Sequence, residues 1–401
     1  MQTIAENREL KVQDLTRVQA SLRRLIDLAS EGLVPMFDPQ QQLFCYRLKK
    51  TESGLVQEGI SRRYTMMCLM GLRRLEESGA ASPITIAPVL EGLLRDTSWV
   101  DNIGDLGVLL WACAVVAPER LSNLEKQLDV VHAFSRYRHT QQWRTMELAW
   151  FLTGLCYWGL ARPEKLAELK DSAFRTFTVL KKNQGEYGYF GHLARTGSIV
   201  GMIRGRIGSF ADQAYPIYAM TRFWQVFGEQ TAREAALHCA RALCQAQGPL
   251  GQWWWHYDAV NGQVVDRYPV FSVHQHGMGP MTLLALGEAT QYDFTPWIYK
   301  GLRWINSHNE LAFEMEDASA RLVWRCVFNS SFAPKKKCKA LFRLRNHDGE
   351  QEPAKNLRVR FECRPYELGW LLYAFASREV SRPSQLSEFE TAATMSDLGK
   401  S

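Results

Sequence analysis

NQGEYGYF (residues 183–190) and AQGPLGQW (246–253) share one pattern: glutamine, three residues, glycine, one residue, aromatic. Their glycines, Gly188 and Gly251, stand 63 positions apart. Downstream, Asp212-Gln213 and His274-Gln275 stand 62 positions apart, and WINSHNE (304–310) places Asn309 62 positions after Gln247. A repeat of this period is one supersecondary unit, which buries its apolar face only by stacking against further copies.

The unit is a pair of helices. Segments 7–31, 83–97, 119–138, 164–183, 230–247 and 294–308 carry apolar residues on one face, as Leu237, Ala240, Leu243 and Cys244 do. Between them lie 62–77, 102–117, 145–160, 210–228, 272–289 and 364–378. Among these, GVLLWACAVV, ELAWFLTGLCYWGL and ELGWLLYAFA are apolar nearly all round, the mark of a helix covered on every side. Twelve helices alternating in this way predict an all-α (α/α)6 toroid, six hairpins with the apolar helices inside. The β-like runs RLVWRCVF and NLRVRFEC predict a small two-stranded insert within 316–363. Residues 1–380 then form a single domain and 381–401 a disordered tail.

R-A-L-C-Q-A-Q-G-P-L-G-Q-W, Arg241 to Trp253, resembles the QW repeat of the squalene cyclase and prenyltransferase superfamily, in which an outer helix ends in Gln, then Gly-x-Trp. NQGEYGYF fits the same repeat with Phe190 in the tryptophan position. The match covers two hairpins, and helix alternation supplies the other four. The resemblance implies an α/α toroid with a central cavity. Neither the cyclases' Asp-x-Asp-Asp acid motif nor the zinc-ligand pattern of the protein prenyltransferases is present. The same toroid serves glycosidases, polysaccharide lyases and sugar epimerases, so fold leaves function open.

Composition narrows the classes. The 401 residues are 46% hydrophobic, contain no apolar run of membrane-spanning length, and begin with a charged stretch unlike a signal peptide. Nine cysteines without a C-x-x-C pair read as free thiols of a cytoplasmic protein, with no metal site and no cofactor implied. A net charge of +6, with one dense basic run at Lys335–Lys339, brings no nucleic-acid motif. The run reads as a solvated loop, or else as a contact for an acidic membrane or polymer.

The toroid turns the sequence into a site. All inner helices run the same way, so their N-terminal ends meet on one rim. The ends read Ser61-Arg62-Arg63-Tyr64, Asp101-Asn102-Ile103-Gly104-Asp105, Arg144-Thr145-Met146-Glu147, Asp212-Gln213-Ala214-Tyr215, His274-Gln275-His276 and Arg364-Pro365-Tyr366-Glu367. Ser61 and Asp101 suit N-caps, but arginines oppose the dipole at a helix N-terminus, so capping does not account for Arg62, Arg63, Arg144 and Arg364. Clustered charges in a cleft mark a site. GQWWWHYD (251–258) feeds the same rim, where Trp253, Trp254, Trp255 and Tyr257 form a wall, and the glycine-rich 191–210 reads as a flap.

These residues suit a carbohydrate-active enzyme: a hydrolase, lyase or epimerase taking a polar, anionic sugar or oligosaccharide. Glu147 and Asp105, each a turn into its helix, are the acid/base candidates, with His276 and Tyr64 as alternative proton carriers. Arg62, Arg63, Asp101, Arg144, Asp212, Gln213, His274, Gln275, Arg364 and Glu367 would bind substrate. An ion pair between Asp105 and an arginine, or a buried structural histidine, is the plain alternative for those residues. An isoprenoid substrate in a terpene cyclase, its carbocation faced by the 13 tryptophans, is a second reading. A non-catalytic ligand-binding toroid is a third.

Overall fold

The structure is a computed structural model that describes residues 20–137, 143–195, 205–331 and 354–378. Within them run twelve helices of seven residues or more: α1 (20–33), α2 (Arg62–Glu77), α3 (Ile86–Arg95), α4 (Ile103–Val116), α5 (Leu121–Gln127), α6 (Thr145–Ala161), α7 (Leu166–Lys182), α8 (Ala211–Phe227), α9 (Gln230–Gln245), α10 (Gly279–Thr290), α11 (Thr295–Ile305) and α12 (Pro365–Phe375). The even-numbered helices are the six segments expected inside. Each packs on the next, and α12 returns to α2, which closes the ring. Expectations for 1–19, the flap centre 196–204, the Lys335–Lys339 run and the tail 381–401 lie outside the described residues.

Burial follows the apolar pattern. In α4 every residue from Ile103 to Cys113 is buried, whereas α9 buries one face, through Ala232, Ala235, Ala236, Leu237, Cys239, Ala240, Leu243 and Cys244. Ring closure needs glycine on both partners. A Cβ on Gly71 of α2 would stand 2.3 Å from the carbonyl oxygen of Gly369 in α12. The axis, expected to hold a cavity, is filled instead by aromatic rings. Trp111 stacks on Tyr157, Tyr218 and Trp370 with centroids 5.2–5.8 Å apart and meets the edge of Tyr373.

The repeated motif is a clamp between neighbouring outer helices. Gln184 Nε2 donates to the carbonyl of Gly188 (3.0 Å) and to that of Ala235 in α9 (2.9 Å). Gln247 Nε2 makes the same pair, to Gly251 (3.1 Å) and to Trp297 in α11 (2.9 Å). Both glycines have left-handed φ, +92° and +99°. A Cβ on Gly251 would meet the carbonyl oxygen of Lys300 at 2.0 Å, and one on Gly188 that of His238 at 2.9 Å. At Asn309 the shorter amide reaches only its own loop, the carbonyls of Trp304 and Phe313.

Other features also differ from the sequence reading. The outer segment 119–138 is broken into a 3-10 turn (Pro118–Arg120), α5 and one helical turn (Ala133–Arg136). The insert is more than two-stranded: Cys326–Asn329 pairs with Leu357–Arg360 but also with Val270–Phe271, and Glu316–Asp317 forms a separate small pair with Leu322–Val323. A hairpin of Leu43–Thr51 and Gly54–Ile60, absent from the sequence reading, takes Glu362–Cys363 onto its edge. Among the described residues no helix is long and apolar enough to cross a membrane.

The clamps set a stability expectation. Gln247→Ala strands two acceptors and lowers the unfolding free energy by about 1–3 kcal/mol, with Gln184→Ala alike. Gly251→Ala is worse than Gly188→Ala, because its new Cβ meets backbone at the shorter distance. Urea titrations of the four variants check this, and a Gln247→Ala protein as stable as the parent removes the clamp from its role.

Candidate active site

The N-terminal ends of the inner helices do meet, and two layers of partners organise them. Ser61 caps α2, its Oγ accepting from the Tyr64 N–H at 3.2 Å. The cap of α4 is Asn102 rather than the expected Asp101: its Oδ1 accepts from the Asp105 N–H at 2.9 Å, and its amide donates to Asp105 Oδ2 at 2.5 Å. Arg63 then places Nε and Nη2 each 2.7 Å from Asp105 Oδ1. Asp105 is thus buried with both oxygens satisfied.

Glu147, on the adjacent inner helix α6, sits differently. It leans over Gly104, where a Cβ would come within 2.7 Å of its Cγ. Among the described residues its one hydrogen bond is a long one, from Arg144 Nη1 at 3.3 Å, and its side chain is 15% exposed. Burial pushes its carboxyl above the usual glutamate range; Arg144 and Arg63 oppose this and Asp105 adds to it.

His192 completes this side of the rim. Its Nδ1 lies 3.0 Å from Asp212 Oδ2, which also accepts from Ser209 N (2.9 Å) and Oγ (2.8 Å). The Asp212 hydrogen bond raises the imidazole's proton affinity over the opposing effect of burial, and the side chain remains 44% exposed. The field of Glu147 also acts on it, as does that of Arg144. Local pairing explains the placement, since Leu193–Arg195 lies antiparallel to Trp143–Arg144.

Across the rim, Arg364 Nη1 donates to the Tyr64 hydroxyl at 3.0 Å and its guanidinium covers the Tyr46 ring at 4.5 Å. Tyr64 packs between Tyr46 and Tyr366. Glu367 accepts from the Arg364 N–H and pairs with Arg325, which also pairs with Glu362 at 3.1 Å. Arg325 lies over Phe271, which touches His274 and Trp255. Trp150, Tyr215 and Trp370 form the floor, with Arg63 above Trp150 at 5.2 Å and the Trp370 N–H donating to Tyr215.

The rim therefore gathers Arg63, Tyr64, Asp105, Arg144, Glu147, Asp212, Trp255, His274, Arg364 and Glu367. The remaining candidates face elsewhere. Arg62 is exposed and acts on Asp96, because consecutive helical residues point about 100° apart and Arg63 takes the axis. Asp101 is exposed, bonded to the Asn102 amide. Gln213 spans the peptide of Phe190, accepting from its N–H at 2.7 Å and donating to its carbonyl at 2.8 Å. Gln275 is buried beside Gly301 and Trp253, toward α11. Gln213 thus braces the Phe190 loop, and Gln275 donates to the Phe271 carbonyl at 3.3 Å.

The three tryptophans lie outside any strand and take separate positions. Trp253 is buried, Trp254 donates to the Ala246 carbonyl at 2.8 Å beneath Arg267, and only Trp255 reaches the rim. Tyr257 is buried on Tyr189. His276 is buried in the π-turn His274–Met278, its ring nitrogens unbonded among the described residues. Reasoning from sequence missed His192, Arg325, Tyr46 and Tyr366. The repeat itself marks His192: it lies 63 positions before Trp255, two residues after Phe190 as Trp255 is after Trp253.

No protein-family model and no curated protein matches the chain in sequence. Its structure is similar to solved α/α toroids. A possible member of the GH105 family from Salmonella enterica subsp. enterica serovar Paratyphi A superposes with a TM-score of 0.56 over 90% of this chain and 93% of that one, at 12% identity. The unsaturated glucuronyl hydrolase of Bacillus sp. GL1, responsible for the degradation of glycosaminoglycan, gives 0.55 over 89% and 95%, at 13% identity. A glycosyl hydrolase family 88 protein from Bacteroides vulgatus gives 0.54 over 90% and 99%, at 10% identity. These likenesses establish the six-hairpin toroid.

The buried histidines give a pH expectation. Burial pushes His274 and His276 down to about 3, so each is neutral in the fold and takes its proton on unfolding below about 6.5. Their contribution is complete above that pH and drains away as the pH falls towards 3. The stability advantage of the parent over His276→Gln shrinks by about 1.4 kcal/mol per pH unit on acidification from about 6.5. Urea unfolding at several pH values measures it, and a constant difference refutes it.

Proposed function

We propose that the rim is the active site of a carbohydrate-active enzyme that takes an anionic sugar. The carrying observation is the unequal pair of carboxyls on neighbouring inner helices. Asp105 is clasped by Arg63 and Asn102, with both of its oxygens engaged. Glu147, half-buried and with one long hydrogen bond among the described residues, is suited to hold and deliver a proton. Carboxyls whose environments pull them apart are the usual acid and base of such sites. His192, held by Asp212, is the second proton carrier. Arg63, Arg144 and Arg364 suit a substrate carboxylate, and Trp255 and Tyr64 offer ring faces to a sugar.

The filled axis weighs against a polyprenyl chain, which needs an apolar cavity below the rim. The structural neighbours add a first substrate to try: oligosaccharides ending in an unsaturated glucuronyl group, after the enzyme from Bacillus sp. GL1.

The test sets such oligosaccharides against saturated glucuronides and neutral glucosides, with products read by mass spectrometry. Anionic substrates turn over and neutral ones do not. Glu147→Gln or Asp105→Asn lowers kcat by roughly 10²–10⁴; Glu147→Gln changes the thermal midpoint little, whereas Asp105→Asn, which leaves Arg63 without its carboxylate, lowers it. Because Arg144 lowers the proton affinity of Glu147, Arg144→Gln moves the alkaline limb of the pH profile upward while weakening binding. Full turnover in both carboxylate variants ends the acid/base assignment, and a polyprenyl diphosphate that outcompetes every sugar acid ends the glycan reading.

A further inference from the structure

The opposite end of the ring holds a second polar cluster that the rim chemistry does not use. Tyr157 of α6, Tyr218 of α8 and Tyr373 of α12 bring their hydroxyls into a triangle, 2.6 Å between Tyr157 and Tyr218 and 2.9 Å on each other side. Trp111 Nε1 of α4 donates to the Tyr373 hydroxyl at 3.2 Å. Arg222 of α8 covers the rings of Tyr157 and Tyr218 and donates to the Tyr218 hydroxyl at 3.3 Å. Arg74 of α2 covers the ring of Tyr373. The one charged residue of α10, Glu288, pairs instead with Arg378.

The charges in this cluster do not balance. Arg74 has Glu77, at 2.7 Å. Arg222 has the Gln225 amide oxygen at 2.8 Å and the Tyr218 hydroxyl, while its buried Nε is unbonded; among the described residues no carboxylate pairs with it. The converging C-terminal carbonyls could answer a cation, but Arg378 is the one bonded to them, through Tyr373 and Ala374. Leaving a largely buried guanidinium without an anion is costly.

The hydrogen bonds show where an anion fits. Tyr373 accepts from Trp111 and Tyr218 accepts from Arg222, which leaves both phenols free to turn their protons to Tyr157. The 2.6 Å separation lies in the range of an O–H···O⁻ bond. We propose that the three hydroxyls can hold one negative charge between them, centred on Tyr157 and paired with Arg222, which makes the far mouth a second, basic site. Burial pushes the Tyr157 hydroxyl up, but Arg222, the Tyr218 and Tyr373 hydrogen bonds and Arg74 together bring it below the usual phenol range. Burial drives Tyr218 well above that range and Tyr373 up to about 12, as befits the two donors. Tyr157 is the least buried of the three phenols, so a small electrophile reaches it before Tyr218 or Tyr373.

Ultraviolet difference titration of the full chain reads the charge directly and does not depend on rim activity. One tyrosine equivalent ionises well below the ordinary value of about 10, each unit of lowering raising its phenolate fraction about tenfold. That equivalent disappears in Tyr157→Phe and moves up in Arg222→Gln. Tetranitromethane, which nitrates the phenolate, gives a readout on the unaltered protein in case the variants misfold. Peptide mapping at neutral pH finds Tyr157 nitrated ahead of Tyr187, which is 51% exposed and serves as the internal reference. Titration of every tyrosine at or above about 10, or nitration of Tyr187 first, overturns the proposal.

Discussion

Inner helices that are apolar nearly all round, α4, α6 and α12, cannot turn any face to solvent, and that constraint shapes the molecule. A helix such as α4, buried from Ile103 to Cys113, must be covered on all sides, and a closed ring of like helices jacketed by amphipathic ones is a compact way to do it. Because each hairpin enters from the outer layer, all six inner helices point the same way. Their N-terminal partial charges add on one rim and their C-terminal ones on the other. The two mouths are therefore chemically opposite before any side chain is placed.

The sequence made this ring legible because the clamp uses side chains that recur. Gln184 and Gln247 each bind a glycine carbonyl and the next outer helix, so their spacing records the distance from one hairpin to the next. The motif fades where other contacts replace it. Asn309 is too short to reach the neighbouring helix and folds its own loop. The 43–60 hairpin escaped notice because Gly54–Ile60 is largely exposed on both faces, so it lacks the alternation that marks a half-buried strand.

The rim was legible by position and less so by direction. Helix starts identified which residues stand at the mouth, but a helix turns about 100° per residue, so neighbours on one start point apart. Arg62 and Arg63 differ in this way, as do Asp212, which faces the rim, and Gln213, which braces the Phe190 loop. The sequence offset of Gln213 and Gln275 signalled a shared role, but the role is structural. Arg325 had no helical start to announce it. It arrives from the insert, and only the pairing of Cys326–Asn329 with Val270–Phe271 brings it over Glu367.

The short stretch Asn102-Ile103-Gly104-Asp105 then shows how the two carboxyls come to differ. Asn102 caps α4 through its carbonyl oxygen and uses its amide to hold Asp105, so one residue both starts the helix and satisfies the carboxylate. Gly104, having no Cβ, lets Glu147 come close enough for the two carboxyls to feel each other. Any larger residue at 104 would displace the Glu147 stem, relieving both its burial and its repulsion from Asp105. The close approach that covers Glu147 thus depends on a residue with no side chain, while the cap beside it holds Asp105 in place.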